Sequence, residues 1–231
     1  MAECMLNLLS KEGVIIIEVQ YLMNTLKDLT FDNIYHEHYN YWSLTSLVNF
    51  FKQFDASIFK SERVDTHGGS IRVYISKNLK LKVSKNVKKV LDEEKAFQVT
   101  NKEKYLKFQK DLNKIKFNVS KNISWLKKKY KKIYGYAASA KTTVAMNYFG
   151  INDKQVKNVI DDNPFKQGKY IPGTGVKIIA KKSINKEKCV IVFAWNMFEE
   201  IKKSNKIFKY CINIRDLYRS NFIKKFKKNL K

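Results

Sequence analysis

The three histidines of this chain fall in two short motifs, FDNIYHEHY at residues 31–39 and HGGS at residues 67–70. Three chemistries fit residues of these types. His36 and His38 would share a face if the first motif were a strand, and with Glu37 and His67 they would make a set of metal ligands, although no cysteine lies nearby. If the motif were helical, Tyr35 and His38 would face together three residues apart. An imidazole titrating near neutrality could then take a proton while Tyr35 and Glu37 orient it or the substrate. The third reading is that they are surface or satisfied core histidines.

Two further segments could receive a ligand. Residues 134–141, YGYAASAK, form a small-residue turn between a strand and a helix. Small side chains there let a backbone approach a diphosphate, and a helix N-terminus offers free N–H groups; tight strand–helix packing explains the same residues, and the full G-x-G-x-x-G is absent. Residues 161–169, DDNPFKQGK, end a strand at the carboxyl edge of a sheet, where open α/β folds bind ligands, or form a plain turn.

The elements that must position these residues read as α/β. Met1 to Ser10 suggests a short helix, and Val14 to Val19, apolar on both faces, predicts a central strand of a parallel sheet. Such a strand needs neighbours on both sides, so the chain is expected to begin inside a domain whose earlier strands are missing. Ser43 caps a helix, and strands Ser57 to Val64 and Ser70 to Ser76 follow, joined at His67, Gly68 and Gly69. Leu81 to Lys132 fits two or three lysine-rich helices. Strand Lys132 to Tyr136, helix Ala140 to Phe149, strands at 157–161, 176–180 and 189–195, helix Asn196 to Ser204 and strand Ile207 to Ile214 then imply a mainly parallel sheet covered on both faces. Asp216 to Lys231 is a basic amphipathic tail. No repeat of fixed period is present.

Composition excludes several classes. With 231 residues, 44% of them hydrophobic, and only 8 Gly and 2 Pro, the chain has the core formers of a folded protein. Cys4, Cys189 and Cys211 are sparse and in no metal or disulfide spacing, which fits a reducing, cytoplasmic location. The longest apolar run is far short of a membrane span. The net charge of +25 invites a basic nucleic-acid-binding protein. Against specific recognition, only Arg63, Arg72, Arg215 and Arg219 among the 46 basic residues are arginine, and the lysines are spread along the chain. A nicotinamide-dependent oxidoreductase would rest on the Gly135 turn alone.

Taken in order, FDNIYHEHY, HGGSIRVY, GYAASAK, NYFGI, DDNPFKQGKYIPGT and AWN resemble the S-adenosylmethionine-dependent sugar C-methyltransferases that act on nucleotide-linked keto-deoxysugars. The resemblance runs from about Gly13 to Ile214. It implies the end of a methyltransferase Rossmann sheet (residues 1–79, carrying the catalytic motif), a Rossmann-like C-terminal domain (80–214) and a basic tail (215–231). It also implies His38 as the base, with Tyr35 and Glu37 orienting it or stabilising an enolate and His36 assisting. Lys141, Asp162 and the His67, Gly68, Gly69, Ser70 turn would border a cleft between the two parts, shaped for a nucleotide diphosphate-sugar. Zinc belongs to the full-length family, but its cysteine cluster has no counterpart here, and neither has the principal donor loop. The chain alone is therefore expected to bind S-adenosylmethionine poorly, with an upstream half supplied by a longer or a separate chain. The family's second glycine in the 135–140 turn is Ala137 here.

Overall fold

Residues 2–66, 68–184 and 189–228 are described in a computed structural model. In chain order the elements are α1 (Ala2–Asn7), β1 (Ile15–Gln20), α2 (Leu22–Asp28), a 3-10 turn at Phe31–Asn33, α3 (Leu44–Lys52), β2 (Ser57–Val64), β3 (Ser70–Ser76), α4 (Lys85–Phe97) and α5 (Lys102–Tyr130). There follow β4 (Ile133–Tyr136), α6 (Ala140–Phe149), β5 (Val159–Ile160), β6 (Ile178–Ile179), β7 (Cys189–Val192), α7 (Phe198–Ser204), β8 (Tyr210–Asn213), a 3-10 turn at Ile214–Tyr218 and α8 (Phe222–Lys228). The chain divides into two compact units, the first made of Met1–Thr30 and His38–Phe108, the second of Phe31–Glu37 and Gln109–Lys231.

In the first unit the strands make an antiparallel sheet in the order β1-β3-β2. Ile15, Ile17 and Val19 pack with the core, whose Ile71, Val73 and Ile75 are fully buried, whereas Ile16 is 59% exposed. Glu18 and Glu62 both stand opposite Arg72 in the register, and Arg72 lies 2.8 Å from Glu18 and 3.7 Å from Glu62. This face is a row of cross-strand charge pairs. The expectation of a central parallel strand at residues 14–19 is thus corrected: β1 pairs antiparallel with β3 and buries alternate residues. A run of β-branched residues does not say which way its neighbour runs or which face is wet.

The same unit holds a fully buried carboxylate. Glu94, on α4, accepts from the Tyr21 hydroxyl (2.8 Å), the Leu44 and Thr45 backbone N–H groups (2.6 and 2.8 Å) and the Thr45 hydroxyl (2.6 Å). Two of those donors are first-turn N–H groups of α3, which also carries a Ser43–Ser46 capping box. A negative charge at a helix N-terminus satisfies orphan donors and the helix dipole together.

In the second unit all five strands run parallel in the order β6-β5-β4-β7-β8. The chain starts at the middle with β4, steps outward to β5 and β6, then crosses to β7 and β8 on the other side. The four residues of β7 are all buried, as a parallel strand covered on both faces requires. Gly135 in β4 is there for packing: a Cβ at that position would lie 2.9 Å from Val159 Cγ2 and 3.0 Å from Phe193 Cε2. Ser139 and Thr142 form a capping box at the start of α6, and Gly150 ends it at φ +69°. Residues 81–132 form two helices, one of them 29 residues long. No helix among the described residues is long and apolar enough to cross a membrane.

Candidate functional site at the switch point of the parallel sheet

The reversal of strand order between β4 and β7 opens the crevice in which doubly wound sheets take ligands, at the carboxyl ends of the strands. Five segments of the second unit converge there. The turn after β4 is held by Asp161, which follows β5: Asp161 Oδ2 accepts from the Ala138 N–H (2.7 Å), and Lys166 donates to the Ala138 carbonyl (2.8 Å) while lying 3.7 Å from Asp161. Ala137 itself sits at φ +74°, a left-handed conformation that favours glycine, and the Thr142 hydroxyl donates to its carbonyl.

Trp195, just past β7, donates its indole N–H to Asp32 Oδ2 at 2.7 Å. The same ring carries two cations, Lys141 Nζ at 5.1 Å and the Arg215 guanidinium at 4.7 Å from its centroid. Asp32 is 3% exposed, and burial raises its carboxyl pKa against the lowering effects of Trp195, Lys141 and Arg215. Lys141 is its opposite: burial lowers the ammonium pKa and Asp32 raises it. Among the described residues its buried Nζ has no hydrogen-bond partner, although an ammonium can donate three. Phe31 stacks on Tyr148 and Phe149 of α6, with ring centroids 4.8 and 5.3 Å away, so the first part of the FDNIYHEHY motif is fixed to this unit at both Phe31 and Asp32.

The rest of that motif is a turn at residues 35–37 followed by irregular chain. The helical spacing that would align Tyr35 with His38, and the strand spacing that would align His36 with His38, are both corrected. The 3-10 turn ends at Asn33, and no regular period reaches the histidines. His36 and Glu37 are exposed, while Tyr35 and His38 are half-buried. The Tyr35 and His36 rings lie 6.2 Å apart. Burial first, then the charges of Glu37 and Asp32, raise the Tyr35 pKa, which keeps the phenol protonated as a donor.

The remaining expected site residues divide by unit. Lys141 belongs to the crevice. Asp162 is exposed beside it, and its Oδ2 accepts from the buried Tyr136 hydroxyl, which also receives the Asn205 amide at 3.3 Å. His38, Gly68, Gly69 and Ser70 belong to the first unit. Gly69 is at φ +109°, and a Cβ there would fall 2.2 Å from Asn24 Nδ2, so this turn demands glycine for local packing. The Ser70 hydroxyl is engaged by Thr66 at 2.9 Å. His67 lies outside the described residues. Asp32, Trp195 and Arg215 escaped the sequence reading, although Asp32 and Trp195 stand inside quoted motifs and Arg215 is one of only four arginines.

Among the described residues no three His, Cys, Asp or Glu side chains cluster as metal ligands. At Gly135 the close approach of Val159 and Phe193 makes the glycine a requirement of the sheet's own packing.

Residues 65–211 match the family described as the C-methyltransferase C-terminal domain. The C-methyltransferase NovU of Streptomyces niveus is 28% identical over 204 residues, which cover 87% of this chain and 49% of NovU. The chain thus spans about half the length of the curated relative it matches. With the family matched across most of the chain, from the β2–β3 turn to β8, this protein belongs to the C-methyltransferase C-terminal domain family.

Proposed function

We propose that this chain carries the acceptor half of a C-methyltransferase: it holds a nucleotide diphosphate-linked deoxysugar and removes the proton from a carbon next to the sugar's ketone. The observation behind the proposal is the 2.7 Å hydrogen bond from Trp195 to Asp32, which ties the tyrosine- and histidine-bearing motif to the switch-point crevice. A family of C-methyltransferases and a crevice suited to nucleotides support this reading over a basic nucleic-acid-binding protein or a nicotinamide oxidoreductase.

Each residue has a role that its surroundings suit. Lys141, whose buried ammonium lacks a hydrogen-bond partner among the described residues, faces the diphosphate, and Asp162 borders the sugar nucleotide. His38 takes the α-proton. Tyr35, held protonated, donates to the developing enolate oxygen, and Glu37 and His36 orient the pair. S-adenosylmethionine supplies the methyl group in this reaction class.

Proton removal can be measured without the methyl donor. Incubated in deuterated water with a thymidine diphosphate-linked keto-deoxysugar, the chain should exchange the α-hydrogen, and His38→Ala should slow that exchange by about 10²- to 10⁴-fold. Undiminished exchange in the variant removes His38 from the role. Lys141→Met should weaken sugar nucleotide binding without abolishing exchange at saturation. Micromolar binding of S-adenosylmethionine by this chain in isothermal titration, with methyl transfer to the keto-sugar, would overturn its assignment as an acceptor half.

A further inference from the structure

β8 is the last strand of the parallel sheet, hydrogen-bonded to β7 on one side. A groove of about 630 Å³ runs along it, lined by residues 208–212 and walled by α7 and α8. Tyr210, Cys211 and Ile212 of this edge strand, with Phe208 and Lys209 just before it, therefore form one side of a concave surface, the strand part spanning about 10 Å. Phe198, Phe222 and Phe226 supply apolar walls. Lys202, Lys206, Lys209, Arg219 and Lys225 stand around it, all exposed, and Asp216, 3.6 Å from Arg219, is the single acidic lining residue among the described residues. None of these residues takes part in the chemistry proposed above.

We propose that this groove is a docking site for an extended acidic polypeptide segment of a partner protein, which adds to β8 as a sixth strand. A strand edge offers backbone donors and acceptors at the repeat of another strand, and alternate side chains of the guest would enter the aromatic walls. The five cations select a guest of opposite charge and oppose a second copy of this chain, whose own edge carries the same cations. A nucleic acid meets the charge requirement but cannot satisfy the strand edge.

The test uses the whole 231-residue chain, isotopically labelled, titrated at 150 mM salt with a nine-residue peptide of alternating glutamate and valine. Amide shifts should concentrate at residues 208–212, with a dissociation constant below about 100 μM. Charge reversal of Lys206→Glu together with Lys209→Glu should weaken binding at least tenfold. Two peptides of the same sequence, N-methylated at alternate residues in opposite phase, separate pairing from charge: one phase should lose at least tenfold and the other little. Equal binding by both, a stronger response of the same amides to a single-stranded oligonucleotide, or self-association through these amides without peptide would each overturn the proposal.

Discussion

Glu94 in the first unit and Asp32 in the second are both buried acids, and they differ in how far their surroundings satisfy them. Glu94 receives four hydrogen bonds, two of them from the N-terminal turn of a helix. Asp32 receives the Trp195 indole, beside a buried ammonium that has no hydrogen-bond partner among the described residues. A satisfied buried charge is part of the scaffold, because every group around it is committed. A buried cation with unused donors marks a place where an anion can still be gained. Glu94 is therefore a carboxylate of the scaffold, whereas Asp32 sits beside a cation whose donors are uncommitted among the described residues.

Removing the Glu94 carboxylate is the hardest test. Glu94→Ala leaves Tyr21, Leu44 and Thr45 donors buried and should cost about 3–4 kcal/mol, read from denaturant unfolding. A loss below about 1 kcal/mol would mean that α3 does not depend on this acceptor. Lys141→Met should act with the opposite sign, leaving stability unchanged or raising it by about 1 kcal/mol, since a buried ammonium without hydrogen bonds is replaced by an apolar side chain of similar length. Destabilisation of that size would show that the ammonium belongs to the scaffold.

Ala137→Gly should stabilise by about 0.5–1 kcal/mol, since relief of the left-handed conformation exceeds the added freedom of glycine in the unfolded chain. The pH response gives a smaller effect. Asp32 has a raised folded pKa, so its contribution is complete below the ordinary value of 3.8 and is lost as pH rises through the folded value. Lys141 has a depressed one, so its contribution is present above 10.5 and is lost as pH falls through the folded value. Asp32→Asn should flatten the decline in stability above pH 3.8, measured as the unfolding midpoint against pH. Thiol labelling is the mildest probe: exposed Cys4 should alkylate first, with Cys211, pushed up to about 11, and Cys189, pushed up to about 12, far slower at pH 8.

Much of the fold was legible locally. The strands Ser57–Val64 and Ser70–Ser76 and the helix Ala140–Phe149 were readable because alternation, a serine cap and a terminal glycine are short-range signals. The direction of β1 was not, because Ile16 and its flanking isoleucines look alike until β3 decides which face is buried. The geometry of residues 35–38 was not legible either. Its motif carries neither a helical nor a strand period, and its start is fixed by contacts to residues more than a hundred positions away.

The sequence by itself determined the alternating α/β order, the capped helices and the stretch that holds the imidazoles, all products of neighbouring residues acting within a few positions. Only the tertiary structure decided which acid is spent and which cation is not. Glu94 and Lys141 sit on helices whose local sequences give no hint of their partners. Burial changes the free energy of a charge by far more than any local propensity, and burial is set by elements that meet across the chain.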